Sequence, residues 1–218
     1  MPSGLRADRQ AVSRRSQEFR QSAGHLRVGR WSSRNQPEVD LLATMNPNKS
    51  RFRILFLCTG NSARSIFAEY LLKKIAPTRF ESYSAGSDPK PAPHPLALQI
   101  LREDFKIDVS DAYSKSLTDF GDTVFDFVVT LCDNARETCP VWPGQPIIAH
   151  WSSPDPSIVA GSKEEEFRAF WLVAQQISRR LELLAALPFG KLDTLRLEAA
   201  TREIGTRERI PIEGQRTA

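Results

Sequence analysis

The chain has 218 residues, 40% of them apolar, and a formal net charge of +4, enough for one domain with a sizeable core but with no apolar run near the ~18–20 residues of a membrane span. Its basic excess is local: residues 1–44 hold eight Arg and four acids, against 30 basic and 26 acidic residues in all, so the rest is balanced and a nucleic-acid-binding core is excluded. Three cysteines are an odd count for a disulfide framework and suit reduced thiols in the cytoplasm, and no apolar h-region marks a secretory signal near the N-terminus.

Residues 1–50 are rich in Arg, Ser, Gln and Gly without a sustained period, and read as a disordered basic arm. The arm could touch nucleic acid or a membrane surface, or target an organelle, although Asp8 and Glu18 count against targeting. A third reading, translation starting at Met45, is favoured because losing the arm would cost the fold nothing. The first strand is Arg53–Leu57. The tight loop Cys58-Thr59-Gly60-Asn61-Ser62-Ala63-Arg64-Ser65 follows, with Ser62 as N-cap of a helix whose apolar side is Ile66, Ala68, Leu71, Leu72 and Ile75, stopped by Pro77.

Phe80–Ser84 alternates as a second strand and runs into Ala85-Gly86. Four prolines make Asp88–Pro95 a stiff connector, and a helix from Pro95 to Phe105 follows. Residues 106–122 are mostly loop, with a short helical turn near Thr118–Phe120. Phe125–Leu131 is β-branched and nearly continuous, as a strand buried on both faces should be, and it ends at Cys132. A polar stretch, Asp133–Gly144, contains Cys139 and is irregular at its far end.

Gln145–Trp151 is the fourth strand, centred on Ile147 and Ile148, and Ser152–Pro156 is a loop. Ser162 and Glu165 form a capping box for a long amphipathic helix reaching Leu187. The domain spans residues 51–188. A short C-terminal helix lies within 189–204, with Leu192, Leu195 and Ile204 inward, and residues 205–218 are a disordered tail.

Strands alternating with helices imply a four-stranded parallel, doubly wound sheet. In such sheets ligands bind at the carboxyl ends of the strands. Cys58, Cys132 and Asp155 all fall at or just past such ends. Gly60 and Asn61 allow the loop to curl with positive φ, which aims several backbone N–H groups at one point and makes an oxyanion cradle. Arg64 grips two oxygens of a tetrahedral anion with its planar fork. A helix start and a nearby cation favour the thiolate, the nucleophilic form of a cysteine. Ser65 can donate a hydrogen bond to the sulfur.

The stretch from Cys58 to Ser65 resembles the phosphate loop of the low-molecular-weight protein tyrosine phosphatase superfamily. The likeness runs from about Arg53 to Leu187 and includes Ser84-Ala85-Gly86 and Asp155-Pro156. Within that superfamily, Val128–Cys132 followed by Cys139-Pro140 resembles the three-cysteine arsenate reductases. The resemblance implies a nucleophile at Cys58, an oxyanion arginine at Arg64, a loop-shaping asparagine at Asn61, a general acid at Asp155 and relay thiols at Cys132 and Cys139. Thr59, Gly60, Asn61, Ser62, Ala63, Arg64 and Ser65 would hold the oxyanion. Ala63 departs from the pattern, since many members carry a further cysteine there.

Phosphate and arsenate are both tetrahedral, so the cradle cannot choose between them; the other thiols can. Reducing arsenate needs two electrons, which two thiols supply by forming a disulfide. The implied route passes from Cys58 through Cys132 to Cys139 and on to a thioredoxin or glutaredoxin-like reductant, or to a small thiol, with phosphate and sulfate competing for the loop. The alternatives are a phosphatase and a non-catalytic oxyanion-binding module. Tyrosine phosphatases of this superfamily often carry paired tyrosines after the Asp-Pro, where this chain has Ser157-Ile158. No spacing suggests zinc, the glycines form no dinucleotide fingerprint, and no cofactor is expected. His94 and His150 read as structural residues. No exposed apolar seam argues for a dimer, so a monomer is expected.

Overall fold

The computed structural model describes residues 49, 51–137 and 139–207. Apart from Lys49, the basic arm with its start at Met45 lies outside the described residues, as does the tail beyond Arg207. Four strands form one parallel sheet in the order β2-β1-β3-β4: β1 (Phe52–Cys58), β2 (Phe80–Gly86), β3 (Phe127–Thr130) and β4 (Ile147–His150). This is the expected parallel architecture. β1 and β3 are the central strands, and their near-continuous apolar runs are what burial on both faces requires. The chain leaves β1 toward one edge and returns to the other side at β3. That reversal opens a crevice at the carboxyl ends of β1 and β3.

Among the described residues, five α-helices flank the sheet. They are α1 (Arg64–Ile75), α2 (Pro95–Glu103), α3 (Asp133–Glu137), α4 (Lys163–Ala185) and α5 (Thr194–Thr206). In α1 every residue from Arg64 to Leu72 is buried, because the helix lies between the sheet and α4. The expected Ser162–Glu165 capping box starts α4. A cluster of Phe52, Phe80, Phe127 and Phe189 closes the end of the sheet opposite the crevice.

Some boundaries differ from the sequence reading. Helix α1 begins at Arg64 with Ala63 in the cap position and no side-chain cap bond, so Ser62 is a loop residue and not the N-cap. Strands β3 and β4 are shorter than expected. Ile148 is 40% exposed, so only one face of the edge strand β4 is covered. In α5 the inward face is Leu197, Thr201 and Ile204, spaced i, i+4, i+7. Leu195 falls on the opposite side and is 75% exposed.

Helix α5 also reaches Thr206, two residues into the expected tail, and it packs against β4. Gly205 permits the contact, since a Cβ there would stand 2.2 Å from the His150 carbonyl oxygen. Trp151 donates from Nε1 to the Thr201 carbonyl at 2.9 Å across the same junction. Gly205→Ala is therefore expected to cost about 1–3 kcal/mol by overpacking, read as a lower Tm.

Candidate active site

The loop between β1 and α1 is held from outside by its carbonyls. Those of Cys58, Thr59, Gly60 and Ser62 accept from the backbone N–H of Ser87 (3.2 Å), Asp88 (2.9 Å), Lys90 (2.9 Å) and His94 (2.8 Å). The Asn61 carbonyl accepts from Ser114 Oγ at 2.9 Å. In a planar trans peptide the N–H points opposite to the C=O. Outward carbonyls therefore turn the N–H groups of Thr59 through Ala63 inward, as an anion-binding nest. The stiff Asp88–Pro95 connector, with Ser87 before it, is thus the outer brace of the loop. Gly86 lets β2 come close enough to brace it: a Cβ there would lie 2.6 Å from the Thr59 carbonyl oxygen.

The expected curl falls on Asn61 alone, at φ 41°. Its side chain is fully buried and fully bonded. Oδ1 accepts from the Lys115 backbone N–H at 2.7 Å, which assigns Nδ2 to the other side, where it donates to Ser65 Oγ (2.8 Å) and Ser84 Oγ (2.9 Å). Ser84 in turn donates to Glu69 Oε2 at 2.5 Å, and Lys115 Nζ lies 3.0 Å from the same oxygen. Ser65 Oγ is 2.9 Å from Cys58 Sγ. Because Ser65 already accepts from Asn61, its hydroxyl proton is free for the sulfur. Glu69, Ser84, Asn61 and Ser65 thus form one hydrogen-bonded chain ending at Cys58 Sγ.

Arg64 and Asp155 face each other across the loop. Nη2 of Arg64 meets Asp155 Oδ2 at 2.6 Å, and its Nη1 donates to the Ser153 carbonyl at 3.4 Å. Asp155 also caps the turn Pro156–Ile158, accepting through Oδ1 from the Ser157 N–H (3.0 Å) and hydroxyl (2.8 Å). Arg180 of α4 steadies the segment before it, donating to the Trp151 and Ser152 carbonyls. Burial pushes the Asp155 carboxyl up, but Arg64 and the two Ser157 contacts outweigh it and hold the group below its ordinary value. A depressed carboxyl stabilises the fold above its unfolded pKa, and that contribution is lost as pH falls through the folded value. Below about pH 4 the Tm of the wild type is expected to fall more steeply than that of Asp155→Asn.

The cleft at the loop mouth has a volume of about 170 Å³. Cys58, Thr59, Gly60, Ser62, Ala63, Arg64 and Asp155 line it, together with Asp88, Lys90 and Ser157. Asn61 and Ser65 stand behind it and shape it. No lining residue is aromatic. Lys90 adds a cation that sequence reading passed over as part of the connector.

Cys132 lies two residues past the end of β3, the strand beside β1. Leu131 donates from its backbone to the Leu57 carbonyl at 2.8 Å, and Cys132 Sγ is 3.4 Å from Thr59 Oγ1, which also accepts from Asn134 at 3.2 Å. The short helix α3 starts directly after it. His150 fastens that start: Nε2 meets Asp133 Oδ1 at 2.9 Å and Nδ1 meets Thr130 Oγ1 at 2.8 Å. Asp133 as a carboxylate only accepts, so Nε2 is the donor of that pair. Cys139 lies beyond the far end of α3, outside the cleft, with its Sγ accepting from Trp142 Nε1 at 3.4 Å. All three cysteines are free thiols.

A parallel α/β sheet with a cysteine-and-arginine nest at the ends of its central strands defines a class of oxyanion-handling proteins with a thiol nucleophile. The family model described as low molecular weight phosphotyrosine protein phosphatase matches residues 53–191, and the chain belongs to that family. Two curated relatives are arsenate reductases of Oceanobacillus iheyensis and Shouchella clausii. They are 37% and 38% identical over 132 residues, covering 61% of this chain and 94% of each relative. A solved structure described as an arsenate reductase in the phosphate binding state superposes with a TM-score of 0.54 at 28% identity, over 62% of this chain and 97% of that one.

Proposed function

We propose that this protein reduces arsenate to arsenite through the thiols of Cys58, Cys132 and Cys139, in a cytoplasm that keeps them reduced. The observation that carries the reading is Cys132: it follows the strand hydrogen-bonded to β1 and its Sγ lies 3.4 Å from Thr59 Oγ1 at the loop mouth. A phosphatase needs no second thiol there. The names of the curated relatives support the same reading.

The Cys58 thiolate attacks arsenic while the loop N–H groups and Arg64 hold the oxygens. One oxygen leaves as water, taking a proton from Asp155. Asp155 is paired with Arg64 and so is held as a carboxylate. An oxyanion that takes over the Arg64 fork removes this partner and places negative charge beside the carboxyl, which favours the proton it must give up. Cys132 then attacks Cys58 Sγ. The S–As bond pair stays on arsenic, which becomes As(III), and a Cys58–Cys132 disulfide forms. Cys139 attacks Cys132 and releases the Cys58 thiolate. A thioredoxin or glutaredoxin-like dithiol, or a small thiol, reduces the final Cys132–Cys139 bond.

Hydrolysis of phosphomonoesters through a Cys58 phosphoenzyme is the second reading, favoured by the family's description. The cleft weighs against aryl substrates. It is small, and among its lining residues none is aromatic, so a phenyl ring has nothing to stack on. Arsenate-dependent NADPH oxidation in the presence of thioredoxin and thioredoxin reductase tests the proposal. Absence of arsenate turnover, with p-nitrophenyl phosphate hydrolysis that survives loss of Cys132 and Cys139, would overturn it in favour of the phosphatase.

A further inference from the structure

Each thiol of the proposed relay has a hydrogen-bonding neighbour, and the three neighbours differ in kind. Cys58 faces the Ser65 hydroxyl and Cys132 the Thr59 hydroxyl, groups that can donate or accept. Cys139 faces the indole N–H of Trp142, which can only donate. Trp142 is 6% exposed, and its ring meets Phe125 edge-on at 5.5 Å between centroids. Phe125 is itself buried beside β3. The donor is therefore anchored to the core, while the sulfur belongs to a residue two positions past the end of a helix of five residues.

We propose that Trp142 is the positioning residue of the last thiol exchange: its N–H holds Cys139 Sγ as an acceptor and aims it for attack on Cys132. The inference rests on the relay reading above. In this step the Cys139 thiolate attacks Cys132 Sγ of the Cys58–Cys132 disulfide. The Cys132–Cys139 bond forms, the Cys58–Cys132 bond breaks, and Cys58 leaves as thiolate with no net change in electrons. Attack requires sulfur to present a lone pair as an anion, and a hydrogen bond donated to an anion is stronger than one to a neutral group. The disulfide also needs the two Cα atoms within about 7 Å, whereas seven residues in helical conformation rise about 10.5 Å, so the helical turns of α3 between the two cysteines oppose closure. A donor anchored to the core limits the space Cys139 searches on its way to Cys132.

Trp142→Phe keeps the ring against Phe125 and removes only the N–H. The full-length protein is mixed with arsenate in single turnover, quenched with an alkylating agent at intervals, and its disulfide-linked peptides are counted by mass spectrometry. Arsenite release is expected at the wild-type rate. The Cys58–Cys132 disulfide is expected to persist about ten- to a hundredfold longer, the size of one hydrogen bond to a charged group. Trp142→Leu, which removes ring and N–H together, separates packing from donation. Equal disulfide lifetimes in Trp142→Phe and wild type, or slowing confined to Trp142→Leu, would overturn the role given to the N–H. If the wild type itself never passes through a Cys58–Cys132 disulfide, the relay reading fails instead.

Discussion

Cys139→Ser is expected to release about one equivalent of arsenite per protein and then stop, because two thiols carry the two electrons of one reduction. Cys58 and Cys132 lie at the ends of adjoining parallel strands, and the first disulfide needs only those two. Without Cys139 the Cys58–Cys132 bond remains, and it blocks the nucleophile. Cys132→Ser is expected to stop earlier, with arsenate bound through Cys58 and no arsenite formed. In steady state with thioredoxin, both variants should fall to background. In the proposed roles, hydrolysis of p-nitrophenyl phosphate uses only the loop, Arg64 and Asp155, so both variants should keep whatever phosphatase rate the wild type has. Sustained arsenate turnover by either variant would remove the relay. The paired assays also exclude misfolding as the cause, since a misfolded loop would lose both activities.

How far the sequence could be read depended on whether a feature was written along the chain or across it. The buried run of β1, the loop that follows it and the capping box of α4 are local patterns, and each stands where periodicity and turn chemistry put it. The shared edge of Cys58 and Cys132 followed from topology, since parallel strands present their carboxyl ends together. What stayed hidden depends on residues distant in sequence. Glu69 and Lys115 meet behind the loop from different elements, and nothing local to either announces the pair. Lys90 reads as a connector residue until the connector is seen to wrap the loop from outside. His150, taken for packing, fastens the start of α3 through Asp133. Asp155 is the subtler case. Its position past β4 was legible, but the guanidinium that helps hold its carboxyl below the ordinary value belongs to Arg64, 91 positions away.

The second large effect is expected at Asn61, where shape and chemistry can be separated by two substitutions. Asn61→Ala removes three buried contacts at once, leaving the Lys115 N–H and the Ser84 and Ser65 hydroxyls without this partner. It also puts a residue with no local side-chain bond at φ 41°, where left-handed backbone costs roughly 1–2 kcal/mol. An unsatisfied buried group costs about 1–3 kcal/mol, so the total is a large share of the 5–15 kcal/mol that stabilises an ordinary domain. The Tm should drop by about 10 °C or more, and the loop should lose its curl and with it the inward N–H groups.

Asn61→Asp keeps size and tolerance of positive φ, and Oδ1 can still accept from Lys115. The other oxygen now accepts where Nδ2 donated. Ser65 would then turn its proton toward residue 61 and away from Cys58, and Ser84 would face two carboxylates. This variant is expected to bind phosphate with the loop still formed, while Cys58 is alkylated more slowly and arsenate turnover falls by about 10²-fold, the scale of a lost transition-state donor. Wild-type alkylation of Cys58 in Asn61→Asp would show that the chain from Glu69 to Cys58 holds the loop without tuning its nucleophile.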